Sequence, residues 1–206
     1  VGIGIDLSKP IYILPVFRFN GTHAYDALLH IMAALALAMS RNRVVIHNSK
    51  FDLFVLANKY KVPFGRDIYD TMLSHHKCFV GIEKSLGHAM SHLTWLPYHK
   101  DEGIYYPRNP SEEARLWKYN GKDIFGMMLV YYEIEKLAAL DQGLRDSIDC
   151  TNNCIYAYML NTLTGIHYDK DVLDKIVFEN DRKMEQLVRI ITILLGGEFV
   201  LPSSNK

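Results

Sequence analysis

The sequence predicts an α/β domain followed by a purely helical segment. Three observations support that expectation. Short β-branched runs bounded by Gly, Ser and Pro alternate with helical periodicity in the first third of the chain. From Ser111 onward every apolar pattern has helical spacing. The 206 residues, 49% of them hydrophobic, are enough to bury a sizeable core.

Val1 to Asp6 and Pro10 to Val16 read as the two strands of a hairpin. Ala24 to Ser40 places Leu28, Ile31, Met32, Leu35 and Leu37 on a helix, and Arg43 to His47 is a short strand. Ser49 opens a second helix, which Pro63 and Gly65 bring to an end. Tyr69 to Phe79 and Lys84 to Leu93 are expected as short helices, and the Pro- and aromatic-rich stretch from Thr94 to Pro110 as a loop. Ser111 should cap a long helix towards Leu140, followed by helices over Asp146–Leu163 and Lys170–Leu195, the last closed by Gly196-Gly197. A composition shift at Asp141-Gln142-Gly143 places a boundary there, with domains over 1–143 and 144–206.

Composition narrows the function classes. Lys+Arg and Asp+Glu balance at 23 each, so no overall basic field of the kind carried by tight duplex binders is present. Three irregularly spaced cysteines fit a reducing, cytoplasmic setting better than a disulfide framework. The apolar stretch from Ala27 to Met39 is shorter than the roughly 20 residues a membrane span needs, so no membrane partner is expected.

Two places could carry chemistry. His47-Asn48-Ser49-Lys50-Phe51-Asp52 puts a polar turn after a strand, with Asp52 in the first helical turn; Ser49 to Asp52 also has the S-x-x-D form of a capping box. Tyr119 and Asp123, four apart on the long helix, share one face, and Gly121 between them hints at close approach by another group. The same pair also suits a solvated face beside Lys118 and Lys122. His88 and His92 share a helix face without the Glu of H-E-x-x-H, and Cys150 and Cys154 are expected to pack within a helix. The aromatic loop from Trp95 to Tyr106 suits either packing or the stacking of unpaired bases.

Taken in order, Asn48 with Phe51-Asp52, then Asp70-Thr71-Met72-Leu73, Ser85-Leu86-Gly87, and Tyr119 with Asp123 resemble the DEDD exonucleases that have a tyrosine in their third motif. The 71 residues separating Asp52 from Asp123 are similar to the spacing in the proofreading domain of family A, polymerase I-like DNA polymerases of phage type. Gly165 to Asp169, the helix after it, then Gly196 to Phe199 and Ser203-Ser204 are similar to the opening of that family's polymerase domain, a feature ribonuclease D lacks.

The resemblance implies an RNase H-like 3′ to 5′ exonuclease fold with a mixed central sheet flanked by helices, then the first helices of a polymerase domain. It implies two divalent cations, Mg²⁺ or Mn²⁺, and hydrolysis of the 3′-terminal phosphodiester of DNA. By the same likeness Asp52 and Asp123 are metal ligands, Tyr119 orients the attacking water and Asn48 contacts the substrate. The partners implied are the single-stranded 3′ end of DNA and the remainder of the polymerase, in the cytoplasm of a bacterial or phage-infected cell. The family's D-x-E motif has no counterpart here: Asp6 is followed by Ser8 where the glutamate is needed, so that strand is expected upstream of Val1 and these residues alone are expected to be nearly inert. A non-catalytic structural domain and an RNase D-like ribonuclease are the alternatives.

Overall fold

A computed structural model describes residues 2–16, 18, 20, 25–103 and 106–197. It is mixed α/β and mostly helical. Two compact units divide at Thr164 and Gly165. The break falls one helix after the composition shift at 143, because the intervening helix packs into the first unit. The motif residues Glu198, Phe199, Ser203 and Ser204 lie outside the described residues.

In the first unit the hairpin forms as expected: β1 (Gly2–Ile3) pairs antiparallel with β2 (Tyr12–Ile13). Its turn is closed by Asp6, whose carboxylate accepts from the Ser8 amide at 2.8 Å and the Ser8 hydroxyl at 2.5 Å. Asp6 is thus a turn residue. Helix α1 (Tyr25–Arg41) leads into β3 (Val44–Ile46), then α2 (Ser49–Tyr60). The Ile68–Asp70 stretch, whose last two residues fall in the short helix expected over Tyr69–Phe79, is instead strand β4 and lies parallel to β3. All three of its residues are buried, and a short apolar run buried on both faces has no alternation to reveal it as a strand.

The two strand pairs are separate sheets among the described residues, so the expected single mixed central sheet is not continuous there. An apolar cavity of about 410 Å³ lies beside the hairpin, lined by Ile3, Leu14, Ile31 and Leu35 among others.

Helices α3 (Thr71–Cys78) and α4 (Leu86–Leu93) precede a 3₁₀ turn at Lys100–Glu102. The long helix α5 (Pro110–Leu140) starts one residue before Ser111: Asn109 is its cap, accepting from the Glu112 amide at 2.9 Å, while Glu112 reaches back to the Arg108 amide at 2.8 Å. Pro110 fits because the first helical turn has no use for its missing N–H.

Strand alternation splits the core in two. Ile68 joins Met32, Met39, Leu53, Val62, Ile155 and Met159, whereas Tyr69 joins Ala89, Met90, Val130, Ile134 and Ile148. Helix α6 (Gln142–Thr164) reaches both clusters, through Ile148 at one level and Ile155 and Met159 two turns on. Its Asn152 is buried between them, accepting from the Asp70 amide at 2.7 Å and donating to Ser74 Oγ at 3.1 Å and the Ile148 carbonyl at 3.0 Å. Cys150 and Cys154 are exposed on α6 and do not pack, contrary to expectation.

The second unit holds α7 (Lys170–Leu195), whose ends match those read from the sequence. Asp169 caps it by accepting from the amides of Asp171 and Val172, and Gly196 ends it in a left-handed conformation at φ 64°. No helix among the described residues is long and apolar enough to cross a membrane.

A buried histidine gives the first unit a pH dependence. His75 on α3 is fully buried, with neither ring nitrogen hydrogen-bonded to any of the described residues, beside the rings of Phe79 and His92. Burial, then the neighbouring His92 and His88, pushes its pKa down from 6.5 to about 4. The unfolded chain therefore binds a proton that the folded one refuses, and the stability present above pH 6.5 is lost as pH falls towards 4. Urea melts over this range should show the loss, and His75→Phe should flatten it; an unchanged slope in the variant would assign the effect elsewhere.

Candidate active site

The sequence-selected residues fall into two polar clusters, one at the C-terminal ends of β3 and β4 and one on α5. At the first, Asp70 is a buried hub. Its Oδ2 accepts from the Ser49 amide and hydroxyl, both at 2.7 Å, and its Oδ1 from the amides of Met72 at 2.8 Å, Asn48 at 3.2 Å and Leu73 at 3.3 Å. One carboxylate thereby caps α3 and ties it to the start of α2.

This arrangement replaces the capping box expected over Ser49–Asp52. Asn48 is the cap residue of α2 but makes no side-chain cap bond, and the Ser49 hydroxyl is spent on Asp70. Asn48 sits at φ 61°, ψ 55°, a left-handed conformation that asparagine tolerates better than most residues. Its backbone conformation is thus one reason for its identity. Asn48→Gly should leave stability within a few tenths of a kcal/mol, whereas Asn48→Val should cost about 1–2 kcal/mol in a chemical melt. Equal effects would contradict a conformational role.

Asp52 lies one turn into α2 and reaches solvent. Desolvation by the surrounding chain, then the charge of Asp70, raises its pKa above the usual carboxylate range. His47, between the strand end and the next cluster, holds Thr71 Oγ1 through Nδ1 and the Lys84 carbonyl through Nε2, both at 3.0 Å. Burial lowers its pKa; Asp70 and Asp123 pull the other way and Lys100 adds to the lowering, so His47 lies within electrostatic reach of both clusters.

On α5, Tyr119 and Asp123 do share one spot, as their spacing predicts. The Lys100 ammonium donates to Asp123 Oδ1 at 2.6 Å and to the Tyr119 hydroxyl at 3.3 Å. His99, buried, holds the same Oδ1 through Nε2 at 2.8 Å, and its ring lies 5.6 Å from that of Tyr119. Burial alone would lower the Lys100 pKa, but the bonds to Asp123 and then Tyr119 more than offset it and raise it. The Ser85-Leu86-Gly87 motif joins this cluster: Ser85 caps α4 by accepting from the His88 amide at 3.3 Å. Gly87 leaves room for the Lys100 stem, since a Cβ there would come within 2.9 Å of Lys100 Cγ.

Lys100, His99 and His47 were not selected from the sequence. Lys100 and His99 lie in the irregular stretch before α5, where no periodicity marks a residue as inward-facing. The close approach expected at Gly121 is not seen: among the described residues nothing would lie within 4 Å of a Cβ there. Gly121→Ala should therefore stabilise the protein by up to about 1 kcal/mol, and a lower melting temperature would reveal a contact that the structure lacks.

The residues present were tested against two divalent cations. Among the described residues no group of three or more His, Cys, Asp or Glu side chains converges as a ligand set. One oxygen of Asp123 already carries an ammonium and an imidazole. A divalent cation on that oxygen would face Lys100 at close range, so this arrangement does not fit a two-cation centre. The rings of His88 and His92 stack with their centroids 6.4 Å apart. Trp95, Tyr98 and Tyr106 are exposed in the loop before α5.

Comparison of the chain with protein-family models, with curated proteins and with solved structures finds no match.

Proposed function

We propose that these residues are the 3′ to 5′ proofreading exonuclease domain of a family A, phage-type DNA polymerase, with an RNase H-like fold and the first helices of the polymerase domain following it. The observation that carries the reading is the gathering of separate motifs. Tyr119 and Asp123 meet on one face of α5 against Lys100, whose stem crosses Gly87 of the Ser-Leu-Gly motif, while His47, at the strand end before Asn48, bonds Thr71 of the Asp-Thr-Met-Leu motif and the Lys84 carbonyl just before Ser85. Sequence order alone did not require these four segments to be neighbours.

In this reading the substrate is the unpaired 3′ end of DNA and the product is a nucleoside monophosphate. Tyr119 would orient the attacking water and Asn48 would contact the terminal nucleotide.

A second reading, a non-catalytic structural domain, is favoured by one specific observation: Asp123 is already neutralised by Lys100. Substrate arms separate the possibilities. The complete polymerase should shorten single-stranded DNA from its 3′ end, and Tyr119→Phe should slow this about tenfold or more, within the range general acid–base and orienting groups contribute. Trimming of structured RNA with no action on single-stranded DNA would favour the ribonuclease; no digestion of either would favour the structural domain.

A further inference from the structure

Helical spacing puts Tyr119 and Asp123 on one face of α5, but it does not fix where either side chain points. The χ2 torsion of an aspartate is soft, so a group outside the helix has to set the direction of its carboxylate. Two groups reach Asp123 Oδ1: the Lys100 ammonium at 2.6 Å and the His99 imidazole, through Nε2, at 2.8 Å. They are not equivalent. An ammonium on a flexible stem is a point charge that accepts many directions of approach. The imidazole is a rigid plane, and because a carboxylate oxygen only accepts, its Nε2 must carry the proton and aim it along one line.

His99 is held so that this line stays fixed. Its side chain is 5% accessible, against 24% for Asp123. Its carbonyl accepts from the Glu102 amide at 3.0 Å, which anchors its backbone at the 3₁₀ turn, and the same turn is tied to α5 again by the ion pair of Glu102 with Lys122. The His99 ring also meets the Tyr119 ring at 63°, with centroids 5.6 Å apart. One buried side chain therefore touches both members of the pair.

We propose that His99 is the positioning residue of the Tyr119–Asp123 pair, fixing the direction of the carboxylate through its Nε2–H and the tilt of the phenol ring by packing. It acts through these two residues, with Lys100 staying where it is. What the positioning serves rests on the exonuclease reading; the contacts themselves do not.

The test compares His99→Phe, His99→Asn and His99→Gln in the protein that carries these residues, digesting a single-stranded oligonucleotide labelled at its 5′ end. Phenylalanine keeps a ring against Tyr119 without an N–H, the asparagine amide is too short to reach Oδ1, and glutamine places an N–H near the position of Nε2. The first two should lower kcat by about 10–100-fold with KM unchanged, the scale of a reacting group set out of line, and His99→Gln should recover most of the rate. With no substrate present, the Asp123 carboxyl carbon followed by ¹³C NMR, its signal assigned with Asp123→Asn, should shift in His99→Phe and His99→Asn and return towards the wild-type position in His99→Gln. Unchanged kcat in whichever of the first two variants folds, a loss that His99→Gln does not recover, or a rise in KM alone overturns the proposal. No digestion by the wild type, or digestion indifferent to Asp123→Ala, overturns the exonuclease reading instead; the carboxyl signal then decides the positioning, and the same signal in every His99 variant overturns it.

Discussion

Asp70→Ala should destabilise the protein by about 3–5 kcal/mol, the largest stability effect of any single truncation argued from this structure. The magnitude follows from what is stranded. Five donors converge on this carboxylate: the amides of Asn48, Ser49, Met72 and Leu73 and the Ser49 hydroxyl. Asp70 and Ser49 are both at most 2% accessible, so water cannot easily replace the lost acceptor. Three elements would lose their anchor together, since Asp70 ends β4, caps α3 and holds the start of α2. Ser49→Ala removes one donor and leaves the hub, and should cost only about 1 kcal/mol. Chemical denaturation of both variants checks the ratio; similar small losses would mean the Asp70 bonds are readily replaced by solvent.

Asp123→Ala should have the largest effect on activity. Under the proposed exonuclease reading Asp123 is the acid that meets Tyr119 at the reacting site, and its loss should reduce 3′ to 5′ digestion by more than about 100-fold, as removal of a positioned acid–base group does. The substitution also strands Lys100 and His99, which share its Oδ1, so a modest drop in melting temperature should accompany the lost digestion. Retained digestion at the wild-type rate would remove Asp123 from the site.

Much of the helical frame could be read from the sequence, for local reasons. The bounds of α7 follow from Asp169 at its start and Gly196 at its end, both of which the structure shows capping as their chemistry predicts. Strand β4 was hidden because Ile68, Tyr69 and Asp70 are all buried, and three buried residues carry no period. The start of α5 moved because Asn109 and Ser111 are both good caps, and Pro110 between them favours the earlier one.

The candidate site was legible only in part. The four-residue spacing of Tyr119 and Asp123 put them on one face, a property of any helix. That Lys100 would be the group meeting both could not be seen, because its position depends on how an irregular segment folds back over Gly87. Ser49 shows the opposite failure: a correct local signature, S-x-x-D before a helix, was overridden when a buried acid 21 residues away offered its hydroxyl a better acceptor. Asp52 and Asp123 were linked by resemblance alone.

The function proposed for this chain is removal of nucleotides from the 3′ end of DNA, and its direct test is a time course of the protein that carries these residues, without nucleoside triphosphates, on a single-stranded oligonucleotide labelled at its 5′ end, with the released products identified. The account predicts a ladder of fragments shortened stepwise from the 3′ end, with release of nucleoside monophosphates and no ladder from Asp123→Ala. An intact oligonucleotide, or a ladder equally strong in the Asp123→Ala protein, would contradict it.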